Sequence, residues 1–214
     1  MNIASLFVSI PVASFRAPFA REYFETLPCP PPSTVFGMLL SMVGEPDRLA
    51  HEGAEIALAL VSRPEKSVVL RTLWRVKDRK QQPGSGNNRT PGFQELLTGV
   101  NLFVWVRSGE NERSSASLAD RVQKALSSPV TVNRFGGLSL GESSHLVDEV
   151  RPIRSDDPKK GWALVADPRG SLSMPIWPDH VGSASTRWAS YFLREENFDG
   201  FPSEQSWTVV SRRA

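Results

Sequence analysis

The chain has one cysteine, Cys29, in 214 residues, so no intramolecular disulfide and no multi-thiolate site can form. A lone cysteine fits a reducing compartment. Histidine and tyrosine are scarce: His51, His145 and His180, Tyr23 and Tyr191. Three scattered histidines and acidic pairs such as Asp156-Asp157 lack metal-ligand spacing, so neither a metal nor a cofactor is expected. No apolar run approaches the length of a membrane span. The apolar start, Met1 to Ser14, has no basic leading segment and reads as a strand, not a signal peptide. A soluble, cytoplasmic protein with no membrane partner is expected. A strong excess of one charge is also missing: 25 Lys and Arg against 23 Asp and Glu leave a net +2. Global charge therefore says little about partners, and local clustering has to be read instead.

What is present, 40% hydrophobic and 22% charged residues, suits one globular domain or one domain with a small addition. Ile3 to Val12 reads as a buried first strand. Pro30-Pro31-Pro32 excludes a helix there, since each proline lacks an N–H. Ser33-Thr34 then resembles an N-cap for an apolar helix over Val35 to Val43, stopped by Gly44. Ala54 to Ser62 and Leu102 to Val106 read as strands, and Val68 to Val76 as a more exposed one. Lys77 to Gly92, rich in Gly, Pro, Asn and Gln, reads as a mobile connection. Leu118 to Leu126 has helical spacing, and Leu146 to Ile153 reads as a further strand. The order predicts an α+β fold, a ferredoxin-like or RRM-like βαββαβ domain over residues 1–155. Residues 156–214 read as a small β-rich C-terminal appendage, whose Trp162, Trp177 and Trp188 serve as its own core or as interface anchors.

Two segments carry candidate chemistry. In Phe15 to Gly44, Phe15-Arg16 follows the first strand and the proline run delivers Ser33-Thr34 to a helix start. Free N–H groups there would suit a phosphate, with Arg16 and Arg21 clamping the same backbone. The plainer alternative is an ordinary helix cap. In Phe135 to Val150, Gly136, Gly137 and Gly141 let a ligand approach the backbone, and Ser139, Ser143 and Ser144 add hydroxyls. This is neither a P-loop nor a Rossmann fingerprint, and a plain turn is the alternative.

In order and spacing the two segments resemble the fifth CRISPR-associated protein family, within the repeat-associated RAMP superfamily. The resemblance rests on Phe15-Arg16-Ala17-Pro18, on Pro31-Pro32-Ser33-Thr34-Val35-Phe36-Gly37-Met38-Leu39-Leu40, and on Leu140-Gly141-Glu142-Ser143. It covers roughly residues 1–153. The resemblance implies a type I, I-B-like Cascade subunit that grips the 5′ handle of the crRNA. It also implies contact with the large and backbone subunits, and with target DNA indirectly, in antiviral defence or RNA-guided transposition. Arg134, Leu140 and His145 join the glycine loop in the implied RNA-binding set.

The family resemblance also implies a β-hairpin thumb beside the RNA handle, at about residues 66–98. Composition adds an independent argument: Arg71, Arg75, Lys77, Arg79, Lys80 and Arg89 face one acid, Asp78. Such clustering supplies the counterion-release part of RNA affinity. Trp74 among these cations either stacks on a base or packs in the core.

Some relatives cleave repeat RNA with Tyr, Lys and His acid–base chemistry, which needs a base, a proton donor and a cation together. Here no Lys-His pair exists, and His51 reads as an exposed helix-end residue. A non-catalytic subunit is therefore expected. The alternatives are a metal-independent repeat endoribonuclease and an unrelated RRM-like module. The latter is weakened because Leu102-Phe103-Val104-Trp105-Val106 lacks the RNP start.

Overall fold

Ala4, Leu6, Val8 and Ile10 are buried while Ile3, Ser5, Phe7 and Ser9 are half-buried, the period-2 pattern of a strand with two unlike faces. This is β1 (Ile3–Ala13) in a computed structural model that describes residues 2–20, 23–74, 76–182 and 184–213. The short β2 (Tyr23–Phe24) follows, then α1 (Pro32–Met42). Pro32 takes the first helical position, where a missing N–H costs nothing, and Pro31 is the N-cap. Ser33 and Thr34 therefore lie inside the first turn and are not the cap expected from sequence. Val35, Phe36, Met38, Leu39 and Leu40 are buried against the sheet, each stabilising by ~1.5–3 kcal/mol. At the helix end Gly44 has φ +66°, and a Cβ there would stand 2.2 Å from the Asn133 carbonyl oxygen.

β3 (Glu55–Leu60), β4 (Glu65–Trp74) and β5 (Arg89–Arg107) precede α2 (Leu118–Ser127). A reciprocal capping box starts α2: Ser117 Oγ accepts from Asp120 N, and the Asp120 carboxylate accepts from Ser117 N. β6 (Glu149–Pro152), β7 (Lys160–Ala166), β8 (Leu172–Trp177), β9 (Arg187–Asn197) and β10 (Thr208–Val209) complete the chain. The ten strands of the described residues form one sheet in the order β6-β1-β5-β3-β7-β9-β8, with β2 and β4 on β5 and β10 on β3. Every pairing is antiparallel except β2 with β5. The fold is α+β, and both helices share one core with the sheet.

β3 and β4 lie end to end along the same side of β5. Leu60 pairs with Leu102 and Glu65 with Thr98, so the ladder slips by one residue beside Gly99, φ +67°. Residues 65–98 are thus a hairpin that prolongs the β3–β5 ladder. The tip, expected to be mobile, is tied together by the buried Asn88. Its Oδ1 accepts from Lys77 N at 2.7 Å and Asp78 N at 2.8 Å, and its Nδ2 donates to the Asp78 and Gln81 carbonyls at 2.8 and 2.9 Å.

The C-terminal strands continue the sheet through Ala59↔Ala163 and Leu60↔Trp162, and Trp177 packs on Phe36 of α1 at 6.0 Å between ring centroids. On the sheet face away from the helices, Phe103 and Trp105 are 1% exposed beneath residues 198–207. The Trp105 indole donates to the Gly200 carbonyl at 3.2 Å. His51 corrects another expectation, being fully buried: Nδ1 donates to Glu112 Oε1 at 2.7 Å and Nε2 accepts from Arg121 at 3.1 Å. A small apolar run after α1 hid this, because its partners lie 61 and 70 residues away.

Candidate nucleic-acid interface

Three separated segments meet at the end of the sheet where β1 finishes and the hairpin leaves. Glu142 of the glycine loop sits at their centre. Its Oε1 accepts from Gln94 Nε2 at 2.6 Å and its Oε2 from Arg71 Nη1 at 3.0 Å. Arg71 pairs with Gly92 and Val69 with Gln94, so both donors project from one face of the hairpin. His145 closes the other side. Its Nδ1 accepts from Ser14 N and Glu142 N, each at 3.2 Å. An atom that accepts twice carries no proton, so the ring is the neutral Nε2–H tautomer. Burial pushes the His145 pKa down, and Glu142 only partly opposes it. Burial raises the Glu142 carboxyl, but the bonds from Arg71 and Gln94 outweigh it and leave the group below its ordinary value. Gly141, φ +101°, must be glycine: a Cβ would stand 2.8 Å from the Ser14 carbonyl oxygen.

A second set of bonds joins residues 15–27 to the hairpin through the buried Glu95. Its carboxylate accepts from Thr26 N at 3.0 Å, Lys66 Nζ at 2.9 Å and the Tyr23 hydroxyl at 3.3 Å. Thr26 Oγ1 in turn accepts from Phe15 N at 2.8 Å. Burial first, then Glu95, raises the Tyr23 pKa, which favours the neutral phenol.

Lys77, Arg79, Lys80 and Arg89 are carried at the hairpin tip, and none has a carboxylate partner among the described residues. Trp74, at 72% exposure, is no core residue; it lies over Gly84, where a Cβ would come within 2.6 Å of the indole. Gly136, Gly137, Gly141 and Ser143 are exposed, and Arg134 donates to the Gly136 carbonyl at 2.8 Å. Other expected contacts are differently employed. Phe15 and Leu140 are core residues, and His145 is 6% exposed, so its ring does not face a ligand. Arg71 is half-buried against Glu142. Arg16 is exposed, but its guanidinium stacks on Phe24 at 4.7 Å and donates to the Ala20 carbonyl.

At the start of α1 the phosphate site shrinks. Pro32 has no N–H and Thr34 N bonds the Pro31 carbonyl at 2.9 Å, leaving Ser33 N and two hydroxyls. No hydrogen bond links Ser33 or Thr34 to the hairpin or the glycine loop among the described residues. Arg21 and Arg75 lie outside the described residues. Sequence reading also missed residues that matter here. Phe135 is fully exposed, directly before a Gly-Gly pair. Gln94, Glu95 and Asn88 carry the hydrogen bonds of the hairpin, and no local pattern marks them. Among the described residues no group of three His, Cys, Asp or Glu side chains is placed to hold a metal ion, and no helix is long and apolar enough to cross a membrane.

The family model described as CRISPR-associated protein (Cas_Cas5) matches residues 5–186. A CRISPR-associated protein Cas5 of Myxococcus xanthus (strain DK1622) is 43% identical over 192 residues, 89% of this chain and 90% of the relative. The chain belongs to the Cas5 family of CRISPR-associated proteins. The fold is also similar to a chain of a solved CRISPR RNA-guided surveillance complex, with TM-score 0.63 and 14% identity over 96% of both chains.

Proposed function

We propose that this protein is a non-catalytic subunit of a type I CRISPR surveillance complex that binds and caps the 5′ handle of the crRNA. The observation that carries this reading is the Glu142 junction. It fixes the glycine loop and the basic hairpin to one another, and four cations at the hairpin tip have no carboxylate partner among the described residues. An RNA backbone held at two points by a preformed surface loses less entropy on binding. The strand order β6-β1-β5-β3, with one helix between β1 and β3 and one between β5 and β6, supports the ferredoxin-like reading. The hairpin at 65–98 then takes the role of the thumb. Its other face, with Leu70, Phe93 and Trp74 exposed, suits a protein partner within the complex. Binding at the sheet end, not on the sheet face, fits the burial of Phe103 and Trp105.

The chemistry supports a grip without cleavage. His145 Nδ1 is filled by two backbone donors, and the Tyr23 phenol is tied to Glu95 with its pKa raised. Neither is poised as a general base. The test is the affinity of the purified protein for repeat-derived RNA over a range of salt. Reversing Lys77 and Lys80 to Glu should weaken binding and flatten the salt dependence, by ~0.7 in log–log slope for each phosphate no longer neutralised. Unchanged binding by that variant would remove the hairpin from the RNA path.

A further inference from the structure

At the opposite end of the sheet, where β5 finishes, lies a cleft of about 690 Å³ that the RNA grip does not use. From Thr98 to Arg107 the separation along β5 is roughly 30 Å, at ~3.3 Å per residue. Arg113, Arg187, Arg212 and Arg213 line the cleft against one acid, Glu52. That local excess of positive charge exceeds the net +2 of the whole chain.

The walls are built, not merely exposed. Behind Arg113, the buried Glu112 binds His51 at 2.7 Å and Leu118 N at 2.6 Å, fixing the loop that carries the arginine. The loop lies so close to Gly53 that a Cβ there would stand 2.7 Å from the Asn111 carbonyl carbon. Arg187 Nη1 donates to the Ser211 and Arg213 carbonyls at 3.2 and 2.6 Å, holding the last described stretch in place. The guanidinium groups of Arg113 and Arg213 make no hydrogen bond or ion pair among the described residues.

We propose that this cleft is a docking site for an acidic segment of a partner protein, with glutamate or aspartate carboxylates entering between the arginines. The cleft already demonstrates the recognition. Glu52 is gripped by Arg212 through Nε at 3.0 Å and Nη2 at 2.8 Å, a two-pronged contact that suits a carboxylate. Arg113 and Arg213 share the cleft without such a partner, and an incoming carboxylate would offset the repulsion among the clustered cations. Leu49 and Val209, the apolar lining, are partly exposed aliphatic side chains that suit aliphatic residues spaced along the same segment. Among the described residues no aromatic ring lines the cleft, so bases would find no stacking platform there, and stacking carries much of single-strand affinity.

The test uses the full chain and fluorescence anisotropy with a labelled peptide of alternating glutamate and leucine. The controls are the matching glutamine–leucine peptide and a single-stranded RNA of equal charge. The acidic peptide should bind, more weakly as salt rises, and the neutral peptide should not. The double variant Arg113→Glu, Arg213→Glu removes no side-chain hydrogen bond or ion pair among the described residues and should melt like the parent. It should lose peptide affinity by roughly tenfold or more, while RNA binding at the hairpin end stays as in the parent. Failure of the acidic peptide to bind, or binding that the variant leaves intact, overturns the proposal. A variant that loses RNA and keeps peptide would make the cleft a nucleic-acid site instead.

Discussion

Arg71 Nη1 donates to the Glu142 carboxylate at 3.0 Å, joining the hairpin to the glycine loop across 71 positions of sequence. Both side chains are about two-fifths exposed, 42% and 43%, so the pair adds no more than ~1 kcal/mol to stability. Its consequence is positional: with Gln94 it sets where the hairpin stands relative to the loop. Glu142→Ala removes that pair and also leaves the buried Gln94 amide without its acceptor, so it should cost ~1–3 kcal/mol, most of it from Gln94. Backbone amides of β4 should then exchange faster in hydrogen-exchange measurements, with a larger increase than those of β1.

Acid should loosen the same junction. His145 has a folded pKa below its ordinary 6.5, so the unfolded chain takes up the proton first as pH falls. The stability that neutral His145 contributes is fully present above about 6.5 and is lost as pH drops toward its folded value. Glu142, also depressed, acts in the same direction lower down: its contribution is present above 4.5 and is lost as pH falls through the folded value. Thermal melting across this range should show the fall. His145→Ala, which strands Ser14 N and Glu142 N, should cost ~1–3 kcal/mol in urea unfolding and flatten the upper part of the pH profile.

Asn88 ties the two sides of the hairpin tip together, with four bonds shorter than 3.0 Å. Asn88→Ala leaves the Lys77 and Asp78 amides without an acceptor and frees residues 77–88. Limited proteolysis should then cut within that stretch, and RNA affinity should fall because the cations of the tip lose their common placement. Equal protease resistance in parent and variant would contradict this role.

Much of the frame was readable from local pattern. The alternation in β1 and the helical spacing at Leu118 are short-range signals, and each produced its element, whereas the proline run, read as excluding a helix, supplies Pro32 as the first residue of α1. The basic stretch at 71–89 was legible because clustering of charge needs no fold to be seen. What stayed hidden is non-local. His145 pointed to RNA by its position in a glycine loop, yet its partner Ser14 N is 131 residues away. Phe15 and Leu140 belong to the motifs that carry the family resemblance, but they serve by packing. The C-terminal strands join the sheet through four residue pairs on β3, two from β7 and two from β10, too few to leave a pattern in sequence. Proline at 31 and 32 shifted the helix start, which moved Ser33 and Thr34 from cap to first turn.

The central claim is a grip on repeat-derived RNA without cutting it, and one incubation tests it most directly. End-labelled repeat RNA is mixed with the purified protein in EDTA, then split between a native and a denaturing gel. The account predicts a shifted, salt-sensitive complex on the native gel and full-length RNA on the denaturing gel. Shortened RNA that disappears with His145→Ala or Tyr23→Phe would contradict it and make the protein a repeat endoribonuclease.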